Sequence, residues 1–230
     1  IVKGARQIGK TESINHFAKK YYSNIVYINF VLEPKYKTIL SDGYDADSIV
    51  KNITLLDTKK KFIKDDTLLI FDEIQEYPDI ATSLKSFKVD GKYDVICSGS
   101  LLGIHYQKIH SNSVGYKTDY EMYSMDFEEF LWALGDETTV PYLQDCFEKM
   151  QPLGQAMHRR VMNDFRQYIL TGGMPQVVDI YRKTKSFEDA DRIKKRILTL
   201  YRQDITKFAR GYEAKVLAVF DELPSQLSKT

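Results

Sequence analysis

A chain of 230 residues, 43% hydrophobic and 28% charged, has the make-up of an ordinary globular protein, which excludes a fibrous or disordered polymer. Its formal net charge of +1 gives no bulk electrostatic attraction toward nucleic acid or an anionic membrane. No apolar run reaches the ~18 residues that a bilayer-spanning helix needs, and Cys97 and Cys146 lack metal-ligand spacing; a cytoplasmic protein with two buried, reduced thiols and no membrane partner is expected.

Ile1 and Val2 run directly into a glycine loop at residues 4–11, so the opening strand is expected to be incomplete. Residues 10–21 then carry a helical pattern, and residues 24–30 (NIVYINF) are rich in β-branched and aromatic side chains, as a buried strand would be. This alternation predicts an α/β fold with a mainly parallel sheet flanked by helices. Two further buried strands are predicted at 67–72 (TLLIFD) and 93–97 (YDVIC), with a helix between them that begins near Pro78 and carries Leu84 and Phe87. A fifth strand is expected at 121–125. Asp126 with Glu129 three residues on forms a helix-start signature ahead of Phe130, Leu131 and Trp132.

Beyond Gly135 strand-like runs cease and amphipathic helices follow, which places a domain boundary there and gives segments 1–135, 136–211 and 212–230. Thr171-Gly172-Gly173-Met174-Pro175 reads as a helix-to-helix hinge, or as a lid element near a bound base. Ser186 with Asp189 caps a long helix whose apolar positions Ala190, Ile193, Ile197, Tyr201, Ile205 and Phe208 repeat at helical spacing up to Gly211. Residues 223–230 read as the opening of another helical element that stops short. The basic clusters 59–61 and 194–196 read as solvated faces.

Gly4-Ala5-Arg6-Gln7-Ile8-Gly9-Lys10-Thr11 fits the phosphate-loop pattern GxxxxGK[ST] at every fixed position. Glycines let the backbone fold round an anion, the next helix aims its N-terminus at it, and Lys10 adds a point charge for the β- and γ-phosphates. Thr11 would offer its hydroxyl to Mg²⁺, and Glu12 completes the candidate nucleotide-binding set. Four apolar residues, Leu68-Leu69-Ile70-Phe71, then deliver Asp72 and Glu73 to a strand's C-terminal end, where open α/β sheets bind their ligands. Asp72 suits a magnesium ligand. Glu73 suits the acceptor that polarises an attacking water. Ser98-Gly99-Ser100 ends the neighbouring strand as a serine turn or a γ-phosphate sensor, with Ser100 the preferred catalytic member. His105, His110 and His158 show no metal spacing.

KGARQIGKT, LLIFDEIQ, CSGSLLG, SMDFEEFL, LTGGMP and LYRQDITKFA occur in the order typical of uncharacterised bacterial and archaeal AAA-type P-loop ATPases. The whole chain resembles that family, in which an AAA domain precedes a C-terminal domain of unknown function in the DUF4143-type arrangement. The resemblance implies an AAA-like P-loop NTPase core, an all-helical lid over 136–211, and the start of a winged-helix-like segment near Leu223-Pro224-Ser225-Gln226-Leu227. The loop and the acidic strand end make ATP and Mg²⁺ the expected cofactors, while a homo-oligomer or protein partner, and DNA through C-terminal sequence beyond this chain, stay open alternatives. An ATPase is the leading expectation, with a nucleotide-sensing interaction module or a DNA-associated motor as alternatives. A helicase would need a second motor domain, and no NKxD segment supports a GTPase. Arg166, Arg202 and Arg210 are candidate arginine fingers.

Overall fold

Thr67–Asp72 (β3) is buried at all six residues, the signature of a strand covered on both faces. The computed structural model describes residues 1–99, 115–209 and 211–227, which divide into two units, Ile1–Tyr123 and Ser124–Thr230. In the first unit, β3 lies between Asn24–Asn29 (β2) and Asp94–Cys97 (β4), both parallel to it, with Asn29 opposite Asp72 and Leu68 opposite Asp94. Val2–Gly4 (β1) pairs in parallel with Tyr120–Met122 (β5), and a single parallel bridge joins Val2 to Ser98.

The period-two alternation of β3 decides which helix covers which face. Leu68 and Ile70 pack with Ile14 and Ala18 of Lys10–Tyr21 (α1). Leu69 and Phe71, with Val26, Ile28 and Phe30, pack with Ile49 and Ile53 of Ala46–Leu56 (α2) and with Ile80, Leu84 and Phe87 of Ile80–Asp90 (α3). The structure is thus α/β, parallel-stranded and flanked by helices, as the alternation predicts. Each fully buried aliphatic or phenyl side chain in these layers contributes about 1.5–3 kcal/mol.

Three local readings change. Helix α2 has no counterpart in the expectations, although Asp45 caps it by accepting from the Ser48 amide at 2.8 Å and Ile49 and Ile53 recur one turn apart. Lys60, assigned to a solvated basic cluster, turns inward to donate to the Tyr27 carbonyl at 2.6 Å and lies over the Tyr36 ring. The fifth strand covers Tyr120–Met122 rather than 121–125, because Met125 is diverted to donate its amide to the Gly173 carbonyl at 2.8 Å.

The second unit consists of helices: Phe127–Ala133 (α4), Thr139–Glu148 (α5), Gln155–Thr171 (α6), Pro175–Thr184 (α7), Phe187–Phe208 (α8) and Glu213–Leu227 (α9). Asp126 and Glu129 form the expected reciprocal capping box at 2.8 and 3.0 Å. Ser186 accepts from the Asp189 amide to start α8. Phe130 and Leu131 of α4 share a core with Val177, Val178, Tyr181, Ala190 and Ile197. Packing therefore assigns α4 to the helical unit, ahead of the compositional boundary at Gly135. Segment 212–227 also joins that unit, since Arg202 pairs with Asp221 at 2.7 Å and Tyr201 meets the Phe220 ring. Among the described residues no helix is long and apolar enough to cross a membrane.

Candidate functional site

Strand β1 ends at Gly4, whose φ of 149° and surroundings admit no side chain: an added Cβ would lie 2.2 Å from the Met122 carbonyl oxygen and 2.5 Å from Ile8 Cδ1. Ile8 is the buried anchor of the loop, 2% exposed, while Ala5 and Glu12 are exposed. Gln7 at φ 67° and Gly9 at φ 93° turn the chain through the left-handed region on either side of Ile8. Gly9 then begins α1 with no side-chain cap, which leaves first-turn amides for an anion to satisfy.

Lys10 is buried and donates to the Gly4 and Ala5 carbonyls at 3.1 and 2.7 Å, so its ammonium lies inside the loop. Burial lowers its pKa from the ordinary lysine value, and the Glu73 and Asp72 charges oppose that shift while Arg6 adds to it. Thr11, one residue on, donates to Asp72 Oδ2 at 3.3 Å. That bond joins the loop to the end of β3, across 61 residues of sequence.

Asp72 is 5% exposed, and both its oxygens are engaged. Oδ2 also accepts from the Tyr27 hydroxyl at 2.5 Å and the Asn29 amide at 3.3 Å. Oδ1 accepts from Ser98 Oγ at 2.5 Å and the Glu73 backbone amide at 3.0 Å. Such a hydrogen-bond set keeps a carboxylate tolerable in a buried place. Burial, with the Asp72 contact adding to it, raises the Tyr27 phenol to about 12 against the opposing Asn29 amide, so the phenol stays a donor. Glu73 adopts a left-handed backbone, φ 57°, unusual for a residue with a Cβ, and its carboxylate accepts from the Gln75 side-chain amide. Such conformations cost on the order of 1 kcal/mol and concentrate at functional sites.

The structure thus brings together Gly4, Lys10, Thr11, Asp72 and Glu73. Ser98, the other serine of the tip read as a serine turn or a γ-phosphate sensor, is fully buried with its hydroxyl donated to Asp72. Ser100, His105, His110 and Arg210 lie outside the described residues. Thr171–Pro175 and the candidate fingers Arg166 and Arg202 belong to the second unit, where Arg202 is paired with Asp221. Sequence reasoning missed Tyr27 and Asn29. Their signal was two polar groups two residues apart on the same face of β2, in register with the end of β3. Cys97 and Cys146 are buried and free, and burial raises the Cys97 thiol to about 12, so neither is a nucleophile candidate. No group of three metal-ligating residues of the histidine, cysteine and carboxylate type occurs among the described residues.

The residues present fit a magnesium–nucleotide group. A glycine cradle that a Cβ would fill, an uncapped helix start and a buried ammonium suit a polyphosphate. The Thr11 hydroxyl and Asp72 carboxylate, already adjacent, are the hard oxygen donors that Mg²⁺ takes.

No curated protein matches this chain. Among solved structures it is similar to the ORC2 protein of Aeropyrum pernix in its ADP form, at 18% identity over 60% of this chain and 45% of that one, with a TM-score of 0.36. It is also similar to PCH-2 of C. elegans, at 13% identity over 63% of this chain and 39% of that one, with a TM-score of 0.34. The chain therefore spans less than half the length of either structure. A family model described as a domain of unknown function (DUF8612) matches residues 162–230. A model described as an AAA domain matches residues 1–131, more than half of the sequence, and the chain belongs to the AAA domain family.

Proposed function

We propose that this chain binds MgATP on residues 4–12 and hydrolyses its β–γ phosphoanhydride. The observation that carries the reading is the Thr11–Asp72 hydrogen bond of 3.3 Å, which puts the two prospective metal donors together beside Lys10. Gly4, Ala5, Arg6, Gln7, Ile8 and Gly9 shape the cradle, and Lys10 neutralises the β- and γ-phosphates. Thr11 and Asp72 hold Mg²⁺, which when bound offsets the charge of the phosphate oxygens. Glu73 accepts a proton from the attacking water as its oxygen bonds to the γ-phosphorus and the bond to the bridging oxygen breaks, releasing ADP and phosphate. The helical unit would then respond to nucleotide state by movement.

Glu73→Gln tests the catalytic assignment. Phosphate release should fall by at least about 10²-fold, the lower range for losing a general base, while ATP affinity stays within a few fold. Undiminished release from that variant would remove Glu73 from the mechanism. A second reading, a nucleotide sensor with little turnover, is favoured by the Gln75 amide that engages Glu73; it predicts wild-type release no faster than that of Glu73→Gln.

A further inference from the structure

Strand β2 sends two polar side chains to Asp72 that the hydrolytic scheme leaves without a task. Asn29 is largely committed elsewhere: its Oδ1 accepts from the Val31 and Leu32 amides at 2.9 and 3.0 Å, holding the turn that leaves β2. Its amide reaches Asp72 at 3.3 Å. Tyr27 is different. It stands opposite Ile70, so Asp72 is its diagonal neighbour two residues along the same face. Diagonal neighbours on a sheet are about 7–8 Å apart, within reach of aromatic and long side chains but not of a serine or threonine. The Tyr27 ring packs with Ile14, Ala18, Leu68 and Ile70 and delivers its hydroxyl to Oδ2 at 2.5 Å.

From the other side, Ser98 donates to Oδ1 at 2.5 Å. One carboxylate is thus gripped at both oxygens by residues from the two flanking strands or their ends, which fixes its plane. Thr11 shares Oδ2 with Tyr27, so the orientation of that oxygen also decides where the Thr11 hydroxyl rests. We propose that Tyr27 is a positioning residue of the metal site: its hydroxyl holds Asp72 so that the carboxylate and Thr11 meet Mg²⁺ together. The inference rests on the MgATP reading above and concerns how that site is organised.

Tyr27→Phe keeps the ring and its packing and removes only the hydroxyl. For the full chain, the affinity for a fluorescent ATP analogue would be measured in EDTA and then across a Mg²⁺ titration. Affinity in EDTA should be unchanged, while the Mg²⁺ concentration at half-effect should rise about ten-fold, the scale of one hydrogen bond to a charged group. An unaltered Mg²⁺ titration overturns the proposal. Equal loss in both arms, through unfolding or otherwise, assigns Tyr27 to packing and overturns it as well. If the parent chain binds the analogue with no dependence on Mg²⁺, the MgATP reading itself fails, and the two failures are distinguishable.

Discussion

Gly4 shows how much one residue type can decide. Its φ of 149° lies where side chains are strained, and its missing Cβ leaves room for the Met122 carbonyl and the Ile8 methyl. Gly4→Ala should therefore displace both the loop and strand β5, costing more than about 1 kcal/mol and weakening nucleotide binding. Thermal melting and nucleotide titration check this, and a variant with parental values in both would show that the loop tolerates the clash. Glu73 and Gln7, with left-handed backbones and a Cβ each, carry strain that glycine would have avoided. At Glu73 the strained turn is retained together with a carboxylate, which is the combination that the proposed water activation requires.

Element boundaries in the helical unit are set by short side chains that satisfy exposed amides. Asp136 accepts from the Thr138 and Thr139 amides at 3.0 Å each, from Thr139 Oγ1 at 2.6 Å and from Arg160 at 2.7 Å, and so fixes the start of α5. The Thr139 hydrogen bond is the largest of the influences that lower its pKa from 3.8 to about 2. A carboxyl group with a depressed folded-state pKa stabilises the fold above its unfolded value and loses that contribution as pH falls through the folded one. Asp136→Asn should therefore lower the melting temperature near neutral pH, and its deficit should shrink as pH falls from 3.8 toward about 2. Melting curves of both proteins across that window check the sign; a deficit that grows on acidification contradicts it. Gly173 is a comparable fixed point, since a Cβ there would lie 2.0 Å from the Met125 carbonyl oxygen.

For the whole molecule, the distribution of arginine matters. Residues 1–123 contain one arginine, Arg6, and it lies within the glycine loop at residues 4–11. A transition-state guanidinium other than Arg6 therefore lies outside residues 1–123. A site completed between copies should show phosphate release per molecule that rises with protein concentration. Measuring specific activity over a hundred-fold dilution series, with and without DNA, reads this directly. Specific activity that stays constant on dilution would count against assembly of the site from dissociating copies.

Contiguous signals were legible in the sequence. The glycine–lysine–threonine spacing named the loop, the apolar run ending in Asp72 and Glu73 named the central strand with its bounds, and Asp126 with Glu129 marked the start of α4. Each depends on neighbours within a few residues, where backbone conformation and local hydrogen bonds dominate. Lys60 turning inward, Ser98 bonding Asp72, and α4 joining the helical core depended on partners 26 or more residues away. Composition cannot reveal such partners, because the same serine or lysine is solvated or buried according to what the fold brings beside it. The sequence determined the glycine loop and the acidic pair; the tertiary structure decided that Thr11, Tyr27, Asn29 and Ser98 converge on one buried carboxylate, since strand register places Tyr27 and Asn29 beside it and the packing of α1 and the end of β4 brings in the other two.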